Sequence, residues 1–253
     1  MDYGTRVIQK GHKGPDVEEL QLRLAGFRGT SPDGDYGPGT ERQVVAFQRD
    51  YMRLPNQSGI VDKPTMEAIE DLGAKFPLDF AALRCKCGVC GGFGRGGSTG
   101  IYRAGKPEVE AYYQYEYPGI HRMLLWAVKA IFFYMPQYNF SINSGYRCSI
   151  DNQQHGRTST NHHGKAIDID VPRRSGEGVE EDKVRCNEIR DKLVEVSNAQ
   201  IGWAAGNRKS LEPANIAPTW VHYDVRNYAR KYLPDQLFCQ SEEALIGSFS
   251  IQI

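Results

Sequence analysis

Seven glycines fall between positions 88 and 100: Gly88, Gly91, Gly92, Gly94, Gly96, Gly97 and Gly100. No regular helix survives that density, because glycine loses the most backbone entropy on ordering and brings no side chain to pack. The chain must therefore fold as two patterned stretches with an irregular piece between them. That piece, residues 76–117, also carries the run C-K-C-G-V-C at 85–90 and is read as a Gly/Cys-rich linker or loop.

The stretch before it, residues 1–75, has helical periodicity. PDVEELQLRLAGF (15–27) opens on Pro15 and Asp16, sets Val17, Leu20 and Leu24 on one face, and meets a stop at Gly26. A second helix is predicted over 39–51, with Val44, Phe47 and Tyr51 on one stripe. A third is predicted over 64–72, with Met66, Ile69 and Leu72, capped by Gly73. The segments 33–47 and 58–72 share a turn, an apolar residue, a Thr near the helix start and then apolar periodicity. This is a weak internal repeat of a loop-plus-helix unit.

The stretch after it, residues 118–253, mixes periods. Residues 118–135 predict a helix with Leu124, Val128, Ile131 and Met135 on one face and Pro136 as its stop. Residues 177–198 predict an amphipathic helix with an acidic first turn. FSINSGYR (140–147), GKAIDIDV (164–171), QIGWAA (200–205) and WVHYDVR (220–226) predict strands. Strands and helices do not alternate regularly, so the fold class is α+β, with a small three-helix domain first.

Charge and hydropathy remove several functions. Lys+Arg and Asp+Glu both number 31, so the net charge is zero and no polybasic footprint for nucleic acid is present. The longest apolar stretch, Met123 to Met135, is too short to span a bilayer and contains Lys129. The first residues, MDYGTRVIQKGHKG, lack an apolar signal core, which leads to the expectation of a chain retained in the cytosol unless another device releases it. Six Cys in 253 residues fall far short of a disulfide scaffold.

With those readings in hand, D-G-D-Y-G-P-G-T (33–40) followed by V-V-A-F-Q (44–48) resembles the peptidoglycan-binding domain found at the ends of bacterial and phage wall hydrolases. The resemblance covers about 70 residues. It implies a three-helix bundle with a shallow groove for stem peptide and glycan, and hence bacterial peptidoglycan as the partner.

Chemistry concentrates in T-N-H-H-G-K-A-I-D-I-D-V (160–171) and W-V-H-Y-D-V-R (220–226). In an extended segment side chains alternate faces, so Ile167, Ile169 and Val171 point one way and Ala166, Asp168 and Asp170 the other. Likewise Val221, Tyr223 and Val225 face a core while Trp220, His222, Asp224 and Arg226 face a cleft. Gly164 permits a sharp backbone path that brings His162 near Asp168. Two imidazoles and a carboxylate are the ligand set of a catalytic zinc site, three protein ligands with the fourth position left for water. The pair His163 and Asp170 is an alternative; the even separation of His162 and Asp168 keeps both on one face and favours the first.

S-G-Y-R (144–147), H-H-G-K-A-I-D (162–168) and W-V-H-Y-D-V-R (220–226) resemble the zinc D-Ala-D-Ala peptidases of the lysostaphin, D-Ala-D-Ala-peptidase and Hedgehog fold group. More closely, the arrangement resembles phage endolysins that pair a peptidoglycan-binding domain with such a peptidase. The resemblance implies a zinc metallopeptidase domain over 118–253 with a small antiparallel sheet. It implies Zn²⁺ on His162, Asp168 and His222, with Arg147 binding substrate or steadying the oxyanion. It also implies a monomer made in the host cytoplasm and released through a holin-made hole. Two departures stand out. Asn161 holds the position of the family's first His, with His162 one residue nearer the glycine. Thr219 and Trp220 stand where many members carry a Glu, leaving Asp224, Glu212 or His155 to move the proton.

Cys85, Cys87 and Cys90 could build a second, structural zinc site with Cys148 or Cys186 as the fourth thiolate; the alternative is that they are reduced free thiols of a cytosolic protein. Cys186 lies on the apolar stripe of its helix, which favours a buried free thiol, and Cys239 has no evident partner. Two other classes compete with the hydrolase: a non-catalytic wall-binding or phage structural protein with a degenerate zinc domain, and a metal nuclease, which the neutral charge weakens.

Overall fold

Proline stands in the first turn of each of the first three helices, where its missing N–H costs nothing: α1 (Pro15–Arg23), α2 (Pro38–Asp50) and α3 (Lys63–Lys75). The computed structural model describes residues 2–94, 97–98, 115–156, 162–173, 175–247 and 249–253. The glycines at 96 and 100 and Asn161 lie outside the described residues.

The internal repeat has a physical basis that hydrophobic pattern alone does not reveal. Gln21 on α1 and Gln48 on α2 are both buried, and each holds the loop that follows its helix. Gln21 accepts from the Gly34 amide (2.9 Å) and donates to Thr40 Oγ1 at the head of α2 (2.9 Å). Gln48 accepts from the Gly59 amide (3.0 Å) and donates to Ile60 O (2.8 Å) and to Thr65 Oγ1 at the head of α3 (3.3 Å). Gly34 and Gly59 take positive φ (70° and 67°), so each turn is a left-handed one locked by a glutamine.

A short helix, α4 (Phe80–Leu83), leads into the cysteine loop. Then β1 (Gly97–Ser98), β2 (Tyr115–Glu116) and β3 (Ile120–His121) precede the central helix α5 (Arg122–Tyr134). The chain continues through β4 (Ser141–Ser144), α6 (Ser149–Gln154), β5 (Ala166–Asp170) and α7 (Val179–Val196). It closes with β6 (Trp203–Ala204), β7 (Asn207–Arg208), β8 (Val221–Asp224), β9 (Phe238–Cys239) and α8 (Glu242–Ile246). The architecture is α+β, helices with small antiparallel sheets, as expected.

Several boundaries differ from those expected. The central helix starts at Arg122, because Ile120 and His121 pair with β9 and the His121 ring caps the helix, accepting from the Met123 amide (3.2 Å). Residues Met123 to Val128, together with Ala130 and Ile131, are all buried, so α5 is a core helix rather than a one-faced one. α1 ends at Arg23, and α3 runs through Gly73 to Lys75. The glycines at 26 and 73 therefore serve packing. A Cβ on Gly26 would lie 2.2 Å from Ala130 Cβ, and one on Gly73 would lie 3.0 Å from Trp126. Of QIGWAA, only Trp203–Ala204 is strand, in a hairpin with β7.

The N-terminal helices pack directly on α5. Glu19 on α1 pairs with Arg122, the Lys129 ammonium donates to Gly73 O (2.9 Å) and Phe76 O (2.7 Å), and the Tyr134 hydroxyl donates to Asp50 (2.6 Å). No helix among the described residues is long and apolar enough to cross a membrane.

Candidate metal centre

The three-stranded sheet runs β4-β5-β8, with β5 central and both pairings antiparallel. Its register sets Asp168 opposite His222 on one side and Ser144 on the other. Residues directly opposite share a face, so the alternation expected from sequence becomes a row of polar side chains across the sheet. Leu211 bridges Tyr223 and the Asp224 amide donates to Ser210 O (2.9 Å), which extends the row and sets Glu212 across from His222. Pro213 follows, and the Glu212 carbonyl is held by the Arg190 guanidinium (2.7 Å).

His162 reaches the same point from the turn before β5. Gly164 has φ 89°, and a Cβ there would lie 2.2 Å from Gly119 O, so only glycine makes this path. His162 Nδ1 lies 2.6 Å from the Gly145 carbonyl, an acceptor only; Nδ1 thus carries the hydrogen and Nε2 is left with its lone pair, 3.5 Å from Asp168 Oδ2. His222 Nδ1 lies 2.9 Å from Asp168 Oδ1, and its Nε2 faces Asp224 Oδ2 at 3.3 Å. One donor atom from each of His162, Asp168 and His222 lies within 4.8 Å of the others. His163 and Asp170 are not brought together: His163 meets Asn152 Nδ2 (3.3 Å), while Asp170 accepts from the Val171 amide and feels the charges of Asp182 and Arg185.

The face read from sequence as open is closed. His162, Asp168 and His222 are 2%, 5% and 4% exposed. Burial is therefore the leading influence on each, and the charges decide its outcome. Burial, with the Arg147 and His222 charges, pushes the His162 imidazole down to about 4. Burial would raise the Asp168 carboxyl, but the two histidines and Arg147 hold it down to about 2. Burial would likewise lower His222, yet the carboxylates of Asp168 and Asp224 bring it up to about 10. The carboxylates of Asp168 and Asp224 thus favour a positive charge on His222, while burial keeps His162 neutral.

Arg147 donates to Asp168 Oδ2 and to Ser144 Oγ, both at 2.9 Å, and lines a cleft of about 260 Å³ with Arg84, Lys86, Asn143, Asp151 and His155. Asp224, read from sequence as catalytic, stands behind His222, where it also accepts from the Arg226 amide (2.8 Å) and side chain (3.0 Å). His155 lines the cleft with Asp151, its Nδ1 2.9 Å from the Asp151 carbonyl. Glu212 is the residue whose place sequence pattern left open. Its carboxyl is raised by burial and by the charges of Asp168 and Asp224, against the opposing pull of His222.

A second group that could hold a metal is Cys85, Cys87, Cys90 and Cys148, again with all donor atoms within 4.8 Å of one another. Cys186 and Cys239 are buried free thiols apart from it.

Residues 13–69 match the family model of the peptidoglycan binding domain. The match spans α1, α2 and most of α3 together with both glutamine-locked loops. It supports an N-terminal peptidoglycan-binding domain, association with the cell wall, and peptidoglycan as a partner.

Proposed function

We propose that this chain is a modular peptidoglycan hydrolase of the endolysin type, in which the N-terminal helices hold the wall and the α+β unit cuts a peptide bond of the murein stem or cross-link. The carrying observation is the convergence of His162, Asp168 and His222 on one buried point beside a cleft lined by Arg147. The resemblance of 140–226 to zinc D-Ala-D-Ala peptidases supports the same reading.

These residues fit a zinc ion. The donor set is two imidazoles and a carboxylate that meet at one point, where a bound ion would take the place of the proton that His222 Nδ1 shares with Asp168. A zinc ion so held supplies Lewis-acid polarisation of a carbonyl and a water acidified toward neutrality.

The protein's own groups do the rest. Gly145 O fixes the His162 tautomer, and Asp224 takes the Nε2 hydrogen of His222, leaving Nδ1 for coordination. On this reading Asp224 orients a ligand. Glu212, beside His222 and raised above the usual carboxylate range, accepts a proton from the attacking water and returns it to the departing amine. Arg147, permanently charged and anchored on Asp168, places its fork at the cleft to hold a substrate carboxylate or a developing oxyanion. The endolysin resemblance further implies a monomer, made in the host cytoplasm and reaching the wall after holin-mediated release.

The test is release of soluble fragments from dye-labelled sacculi by the full-length chain, with mass spectrometry of the fragments to name the bond. H222A is expected to lose release while still sedimenting with sacculi. Wild-type release by H222A would overturn the site.

A further inference from the structure

We propose that Cys85, Cys87, Cys90 and Cys148 form a closed structural site for one divalent ion, zinc by its donor set, and that this ion holds the two walls of the cleft together. The site stands whether or not the chain hydrolyses anything.

Cys148 Sγ lies 3.6 Å from Cys85 Sγ and 3.5 Å from Cys87 Sγ. Four sulfurs about 2.3 Å from a shared ion sit about 3.8 Å apart along a tetrahedron's edges, whereas a disulfide needs about 2.05 Å. All four are free thiols at the spacing of ligands. Among first-row ions, an all-thiolate tetrahedral set suits zinc.

A ring of amides surrounds the sulfurs. Val89 and Cys90 N–H both point at Cys87 Sγ (3.3 Å each), Cys148 N–H points at Cys85 Sγ (3.5 Å), and Asp151 N–H points at Cys148 Sγ (3.5 Å). Neutral thiols are weak acceptors; thiolates on a cation want such donors. Gly88 and Gly91, at φ 73° each, let the loop curl back to present them, and the Cys85 amide closes the turn on Gly92 O (2.7 Å). Gly88 and Gly91 thus meet the backbone requirement of a ligand loop.

The cluster joins two segments that are distant in sequence. Cys148 follows Arg147, and the 145–148 segment lies tight against the end of α4. The Tyr146 amide donates to Leu83 O (2.7 Å), and a Cβ on Gly145 would lie 2.5 Å from the same oxygen. Gly145 O in turn holds His162. Arg84 and Lys86 flank Cys85 in sequence and line the same cleft as Arg147. An ion shared by the two segments fixes their separation and the distance between these cations.

The experiment uses the full-length chain purified in reductant. Elemental analysis of H222A, which removes a ligand of the other centre, is expected to find one zinc per chain. Cobalt-substituted H222A is expected to show a near-ultraviolet sulfur-to-cobalt charge-transfer band, absent from the C87S/C148S double variant. Because that double variant can fail to fold, alkylation of the native wild type provides a second measurement. Cys85, Cys87, Cys90 and Cys148 should resist modification until a chelator is added. Iron or no metal in H222A, a missing charge-transfer band, or a disulfide within the cluster would each overturn the proposal.

Discussion

Asp224 distinguishes an orienting carboxylate from a proton-transfer one. Its Oδ2 lies 3.3 Å from His222 Nε2 and 3.0 Å from Arg226 Nε, and its Oδ1 takes the Arg226 amide at 2.8 Å. The carboxylate is therefore itself held at two points by Arg226 and fixes the imidazole in turn. Removing it in D224A frees the ring of His222 and lowers the basicity of Nδ1. Loss of such an outer partner weakens metal affinity about 10–100-fold, or about 1.4–2.7 kcal/mol. D224N keeps an acceptor oxygen without the charge and should fall near the lower bound. The assay is competition for zinc with a chromophoric chelator, run beside fragment release from sacculi at saturating metal. Expected are weakened zinc binding in both variants and substantial recovery of D224N activity when zinc is raised. Were Asp224 the proton carrier instead, D224N would lose about 10²–10⁴ in kcat at unchanged affinity. D224A binding zinc as tightly as wild type would refute the orienting role.

Three further outcomes follow from particular residues. Q48A should leave the buried Gly59 amide without its acceptor, costing about 1–3 kcal/mol and weakening sedimentation with sacculi; unchanged urea unfolding and unchanged binding would count against the glutamine lock. G26A forces a methyl into the contact with Ala130 and should destabilise by about 1–3 kcal/mol without altering zinc content, as thermal unfolding of the zinc-loaded chain would show. His121, buried and pushed down to about 4 by burial, binds its proton in the unfolded chain first, at about 6.5. Its contribution is full above about pH 6.5 and is lost as pH falls toward about 4, by up to about 3 kcal/mol. H121N should flatten that part of the stability profile; parallel profiles for the two proteins would contradict it.

Periodicity along the chain was enough to separate a helical N-terminal unit from an α+β remainder. It also sufficed to place Asp168 and His222 on one face, because alternation in a strand is a local property of the backbone. The choice of His162 over His163 followed from the same parity, and the structure brings His162, not His163, to Asp168 and His222. What pattern could not supply was the identity of partners across the fold. Asp224 shares a strand face with His222, yet whether it looks into the cleft or supports the imidazole depends on where Arg226 and the 210–212 segment pack. Glu212 joins the row only through the bridge of Leu211 to Tyr223. Cys148 rather than Cys186 completes the thiol cluster because the 145–148 segment packs on Leu83. The glycines at 26 and 73 read as helix stops until α5 is laid against them. Local geometry is written in the spacing of residue types; contacts between distant segments arise only when burial of the shared core selects one packing among many.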